Sequence, residues 1–171
     1  MTIDVNGPAL LQRGGSVVPS QGVNNGSIIS TMFTRMQPMH LTVVPACEDQ
    51  SANGLLFWDD GESVDTIENG EHLLVSYEMK KQGQTSLTLN ASIVHASSKG
   101  TRDIPYETIT IANVGSEPKE TSLHCFFEGL ANDCPTMKSQ YDGETKVLTL
   151  SLAIDHQPLL TTHSFSLSVA I

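Results

Sequence analysis

Aromatic side chains are scarce in this chain. Phe, Trp and Tyr together make up 5% of 171 residues, with a single Trp, so no row of sugar-stacking platforms is evident. Charge is sparse too, at 16%, where about a quarter is usual for a soluble domain. Ser, Thr and Asn supply the polarity instead. Basic residues are the rarest charged class. Nine Lys and Arg stand against 19 Asp and Glu, a formal net charge of −10. A phosphate backbone or an anionic membrane surface is repelled by such a chain, and no basic run offsets the imbalance, so nucleic acid is excluded as a partner. No apolar stretch approaches the ~20 residues of a membrane span, and Met1 to Gly7 lack the apolar core of a signal peptide. The sequence thus shows neither a membrane segment nor a targeting signal. There is no C-x-x-C pair, no His/Cys spacing that fits zinc, no H-x-x-x-H and no G-x-S-x-G elbow. No cofactor, metal or catalytic residue is expected. The three cysteines leave two readings open. Cys125 and Cys134 can be joined across a short loop containing Gly129, Asn132 and Asp133, leaving Cys47 over, or all three are reduced thiols.

A sustained helical repeat is absent as well. What is present is a series of short β-type runs divided by turn residues. Leu41 to Val44 is β-branched and ends at Pro45. Leu55 to Trp58 lies between the hairpin-type dipeptides Asn53-Gly54 and Asp60-Gly61. His72 to Tyr77 follows Asn69-Gly70. Ser86 to Val94 alternates, with Leu87, Leu89 and Ala91 opposite Thr88, Asn90 and Ser92. Thr108 to Ile111, Leu123 to Phe127, Lys146 to Leu152 and the run carrying Phe165, Leu167 and Val169 complete the set. Strict alternation buries one face and wets the other. The pattern predicts an all-β chain of two antiparallel β-sandwich domains, 1–80 and 81–171, dividing at the polar turn Lys80 to Gln84.

The acidic cluster Asp59, Asp60, Glu62 and Asp65 has three readings. It is a tight turn whose Asp side chains accept backbone N–H bonds, with Gly61 at positive φ. Otherwise it is a Ca²⁺ site, or a carboxylate pair for glycoside cleavage. The turn is favoured, because EF-hand spacing is not met and adjacent carboxylates tend to diverge. Trp58, directly after Leu55-Leu56-Phe57, reads as a core or interdomain residue before a sugar platform. Arg13-Gly14-Gly15 reads as a buried arginine bridging to a carboxylate, with glycine allowing close backbone approach, in preference to an anion loop. Asn25-Gly26-Ser27 and Asn90-Ala91-Ser92 fit the N-glycosylation pattern, so Asn25 and Asn90 are candidate acceptors.

Two segments are distinctive in order and spacing. They are Gln12-Arg13-Gly14-Gly15-Ser16-Val17-Val18-Pro19-Ser20-Gln21 and Leu55-Leu56-Phe57-Trp58-Asp59-Asp60-Gly61-Glu62-Ser63-Val64-Asp65. Between them lies Ser30 to Leu41, marked by Thr31-x-x-Thr34-Arg35 and Pro38-x-x-Leu41. Glu68-Asn69-Gly70 and, less distinctively, Asp142 to Leu148 follow. Together they resemble the region after the catalytic barrel in glycoside hydrolase family 31 α-glucosidases. The resemblance implies a proximal and a distal β domain and a non-catalytic, structural role beside a barrel absent from this chain. It implies a parent that hydrolyses terminal α-linked glucose, met by α-glucan or maltose-type substrates only through that barrel, and a secretory-pathway location. It also implies that Arg13, Trp58, Asp59 and Asp60 are structural or face the barrel, since the family's acid and nucleophile sit on barrel segments. An independent carbohydrate-binding β module is the alternative, against which the low aromatic content argues. A free-standing hydrolase built on the acidic cluster is a weaker third reading.

Overall fold

In a computed structural model the described residues are 11–22, 30–83, 85–97, 103–127, 130–132, 134–154 and 159–171. They form strands β1 (Ser16–Gln21), β2 (Met39–Val44), β3 (Ala52–Trp58), β4 (Leu73–Gln82), β5 (Ser86–Ala96), β6 (Tyr106–Ile111), β7 (Glu120–Phe127), β8 (Leu130–Asn132), β9 (Met137–Asp142), β10 (Val147–Leu152) and β11 (Ser164–Ala170). One helical turn, α1 (Thr31–Thr34), lies between β1 and β2, and the Ser30 side chain accepts from the Phe33 N–H at its start.

Alternation fixes which face each strand buries. β2 buries Met39, Leu41 and Val43, β10 buries Leu148, Leu150 and Leu152, and β11 buries Phe165, Leu167 and Val169. Each such side chain contributes ~1.5–3 kcal/mol relative to exposure. Thr108, Ser166 and their like alternate outward.

All strands join one sheet, in the order β8-β7-β11-β5-β4-β3-β1-β2-β6-β10-β9. Most neighbours are antiparallel, but β2 pairs β6 in parallel from Met39↔Tyr106 to Val43↔Ile111. A parallel pair needs a long crossover, and here the strands β3, β4 and β5 supply it. The ladder is thinnest between β1 and β3, which meet in parallel only at Ser16↔Asn53. Gly54 makes that approach possible, because a Cβ on it would fall 2.1 Å from the Val17 carbonyl oxygen.

The sheet folds over so that its halves face one another. Tyr77 of β4 and Tyr106 of β6 share a hydroxyl hydrogen bond of 2.5 Å, although β3, β1 and β2 lie between those strands in the ladder. Tyr106 also meets Phe165 of β11 edge-on, with centroids 5.6 Å apart. Just outside the strands, Tyr106 N donates to Leu159 O and Thr161 N to Ile104 O, closing the entries to β6 and β11 against each other.

The all-β expectation holds. The division at Lys80 to Gln84, however, falls in the β4–β5 hairpin, whose pairing runs from Leu73↔Ala96 to Gln82↔Ser86. Strands from 1–80 and 81–171 also interleave, with β6 beside β2. Asn53-Gly54, expected as a turn, lies inside β3, opposite Glu78 and Tyr77.

Candidate functional site

The acidic cluster is the turn that leaves β3. Asp59 Oδ1 accepts from Gly61 N at 2.8 Å, and Asp59 Oδ2 accepts from the Thr66 hydroxyl at 3.1 Å. Asp60 Oδ1 accepts from Glu62 N at 3.0 Å and Ser63 N at 2.8 Å, while its Oδ2 accepts from the Ser63 hydroxyl at 2.5 Å. Gly61 takes φ 76°, the left-handed region that favours glycine. Both carboxylates therefore spend their oxygens on the turn itself, as the favoured reading of the sequence had it.

The electrostatics point the same way. The Ser63 hydroxyl, followed by the Ser63 and Glu62 N–H groups, pulls the Asp60 carboxyl down to about 2. A general acid for glycoside cleavage needs the opposite shift, produced by burial or a like charge. Among the described residues no group of three or more His, Cys, Asp or Glu is placed to hold a metal ion.

Beneath the turn sits Arg35, which caps the C-terminus of α1. Its Nη2 donates to the Asp59 carbonyl oxygen and lies 3.9 Å from Asp59 Oδ1. The guanidinium carbon stands 4.0 Å from the centroid of the Trp58 ring, a cation–π contact. Trp58 is half-buried and packs on the core. The segment Ser30 to Leu41 and the segment Gly54 to Asp65 are thus one physical unit, with Arg35 as the joint. Sequence reading marked Arg35 only as part of a motif. A cation one helical turn into a motif and an acidic turn downstream were the available signal, but nothing in their spacing showed that they touch.

A second layer fans out from the same turn. The Thr66 carbonyl accepts from His72 Nδ1 at 3.2 Å, and the Gly70 carbonyl accepts from His95 Nε2 at 2.9 Å; since a carbonyl only accepts, both ring nitrogens carry the proton. His72 stacks on His95 at 4.4 Å and on Phe57 at 5.2 Å. Phe57 and Leu55 project from β3 and are 42% and 64% exposed. Met32, Phe33 and Met36, on and just after α1, are exposed as well. The row read in sequence as one apolar run places only Leu56 fully in the core.

Other expected residues lie elsewhere. Arg13 is exposed, its carbonyl accepts from the Ser16 hydroxyl, and among the described residues no carboxylate lies within ion-pair distance of its side chain. Among the described residues Arg35 stands beside a carboxylate, that of Asp59. Cys125 and Cys134 are joined as a disulfide with Cα atoms 5.5 Å apart, and Cys47 is free and exposed. Asn90 is half-buried on β5. Asn25 lies outside the described residues.

The chain is similar to known proteins over part of their length. No protein-family profile matches the chain. It is 29% identical over 142 residues to lysosomal α-glucosidase of Rattus norvegicus, a match covering 83% of this chain and 13% of that protein. It is 40% identical over 82 residues to intestinal sucrase-isomaltase of Suncus murinus, covering 48% of this chain and 4% of that protein. Its fold matches a solved glucosidase II α subunit at TM-score 0.65 and 18% identity, over 92% of this chain and 16% of that one. The two curated relatives are glycoside hydrolase family 31 α-glucosidases, to a portion of which this chain is similar, and the solved structure shows the shared fold. The resemblance to α-glucosidases of this family that the sequence carries is borne out. No helix among the described residues is long and apolar enough to cross a membrane.

Proposed function

We propose that this chain is the non-catalytic, structural C-terminal portion of an α-glucosidase that removes terminal α-linked glucose, and that it braces the catalytic barrel of the same polypeptide. The observation that carries the proposal is the exposure of large apolar side chains on the two motif segments that Arg35 joins. Leu55 and Phe57 on β3 and Met32, Phe33 and Met36 around α1 are all exposed in a chain that spans a small share of its relatives. Large apolar side chains left exposed suit a surface that is covered in the whole protein. The Arg35–Trp58–Asp59 joint gives that surface a fixed backbone. Asp60 holds the exit of the turn, and exposed Arg13 is free to meet a carboxylate of the barrel.

In this reading the substrate, a maltose or α-glucan chain end, is met by the barrel and not by the acidic turn. The location is the secretory pathway, in keeping with lysosomal and intestinal relatives. An antibody to the chain, used on extracts of the cells that make it, tests this. It is expected to precipitate α-glucosidase activity together with a polypeptide several times larger than 18.4 kDa. Recovery of only an 18.4 kDa species without activity overturns the proposal. Tight binding of that species to maltooligosaccharides would instead favour a free carbohydrate-binding module.

A further inference from the structure

The outer face of the sheet carries a polar groove. It crosses four neighbouring strands, with a volume of about 400 Å³. Asn53 of β3, Ser76 and Glu78 of β4, Asn90 and Ser92 of β5 and Ser166 of β11 line it. Asn90 sits at its middle, paired with Glu78 on one side and Ser166 on the other.

We propose that Asn90 is an N-glycan acceptor and that this groove seats the first sugar of the glycan. Three observations converge. Asn90-Ala91-Ser92 is an acceptor sequence. Its register puts Asn90 outward, since Leu89 and Ala91 on either side are 1% exposed and face the core. A one-residue slip would bury the acceptor and make a glycan incompatible with folding. Finally, the space beside Asn90 is lined by hydroxyl, amide and carboxylate groups, which suit the hydroxyls and acetamido group of an N-acetylhexosamine.

The order of events follows from the ladder. β5 is hydrogen-bonded to β4 and β11, so a transferase that needs an extended acceptor reaches Asn90 only before the strand pairs. The donor is an oligosaccharide on an isoprenoid diphosphate. The Asn90 amide nitrogen attacks the anomeric carbon, a C–N bond forms, the C–O bond to the diphosphate breaks, and the amide proton passes to a base of the transferase. The lipid diphosphate leaves. Folding then closes β4 and β11 around the modified residue, with the chain of sugars running outward. Ser76 at the groove's edge is the cross-strand partner of Leu55, so the glycan must run away from the surface assigned to the barrel.

The test is secretion of the full chain from animal cells behind a signal peptide, with mass spectrometry of the Asn90 peptide after amidase release in ¹⁸O water. Asn90 is expected to be converted to labelled Asp, and Ser92→Ala to abolish the label while Ser92→Thr retains it. Amidase release from the native protein is expected to be at least ~10-fold slower than from the unfolded protein, because the linkage lies in the groove. An unlabelled Asn90 in secreted wild-type protein overturns the proposal. Labelling with equal release rates in both states overturns the seating in the groove.

Discussion

At the residue scale, one hydrogen-bonding device is used twice. Asp60-Gly61-Glu62-Ser63 and Asp142-Gly143-Glu144-Thr145 share an arrangement. In each, one Asp oxygen accepts from the N–H groups two and three residues on, and the other accepts from the following hydroxyl. The hydroxyl and N–H donors hold both carboxyls low, Asp60 to about 2. A carboxyl depressed in the folded state contributes its full stabilisation above the unfolded value, about 3.9, and loses it as pH falls through the folded value. The difference in melting temperature between wild type and Asp60→Asn should therefore be constant from pH 7 to pH 5. It should shrink between about pH 4 and pH 2 as both states bind the proton. A difference that stays constant to pH 2 would show that the charge is not what holds the turn. Arg35 allows a sharper test of the joint. Lys in its place keeps the charge but loses the planar fork that lies over Trp58 while reaching Asp59. Arg35→Lys should cost about 1 kcal/mol by chemical denaturation, and Arg35→Ala more. If Lys substitutes without loss, the stacking contact carries nothing.

At the scale of the strand, the sharpest constraint is Gly54. Any Cβ there meets the Val17 carbonyl at 2.1 Å, and the atom in the way is backbone, so it cannot swing aside. Gly54→Ala should break the Ser16↔Asn53 contact between β1 and β3 and cost at least about 3 kcal/mol, at the upper end for a single substitution. Gly83→Ala, at φ 64° in the β4–β5 turn with open space around it, should cost only about 1 kcal/mol. Near-equal losses would mean that strain, and not the close approach, is the common cause. Gly54 also shows where the sequence stops being legible. Asn-Gly is a turn signal because both residues accept positive φ, yet here glycine is needed for its missing side chain, which leaves no separate mark. The buried faces of β5, β10 and β11 were legible from alternation, although Thr88 on the wet face of β5 is buried too. β9 was not, because it ends the sheet and its Lys138, Ser139 and Gln140 are all exposed, so no inward period exists to read. In the acidic turn, the carboxylate hydrogen bonds from Gly61, Glu62 and Ser63 were foreseeable because they span only two or three residues. The Arg35 contacts span more than twenty and were not.

For the molecule as a whole, the question is whether the folded-over sheet unfolds as one body or two. The polar turn at Lys80 to Gln84 invited a division, but the ladder crosses it and the two tyrosines tie facing halves together. Both phenols lie in the core, where burial pushes their ionisation well above the ordinary value. Removing one hydroxyl strands the other without a partner, at ~1–3 kcal/mol, whereas removing both leaves two apolar rings of nearly the same shape. Tyr77→Phe and Tyr106→Phe should each destabilise by roughly that amount, and the double variant by less than their sum. The alkaline limb adds a signed check. Unfolded tyrosines lose their protons near pH 10 while the buried pair keeps them, so the unfolded state then binds fewer protons and stability falls with rising pH. The double variant should show a shallower fall above about pH 10 than wild type. If the halves form one cooperative body, circular dichroism and Trp58 fluorescence should report a single coincident thermal transition, and each tyrosine variant should shift all of it. Two separated transitions, only one of them moved by Tyr106→Phe, would mean that the chain behaves as two domains despite its continuous ladder. The tyrosine pair would then be a contact between bodies and not the centre of one core.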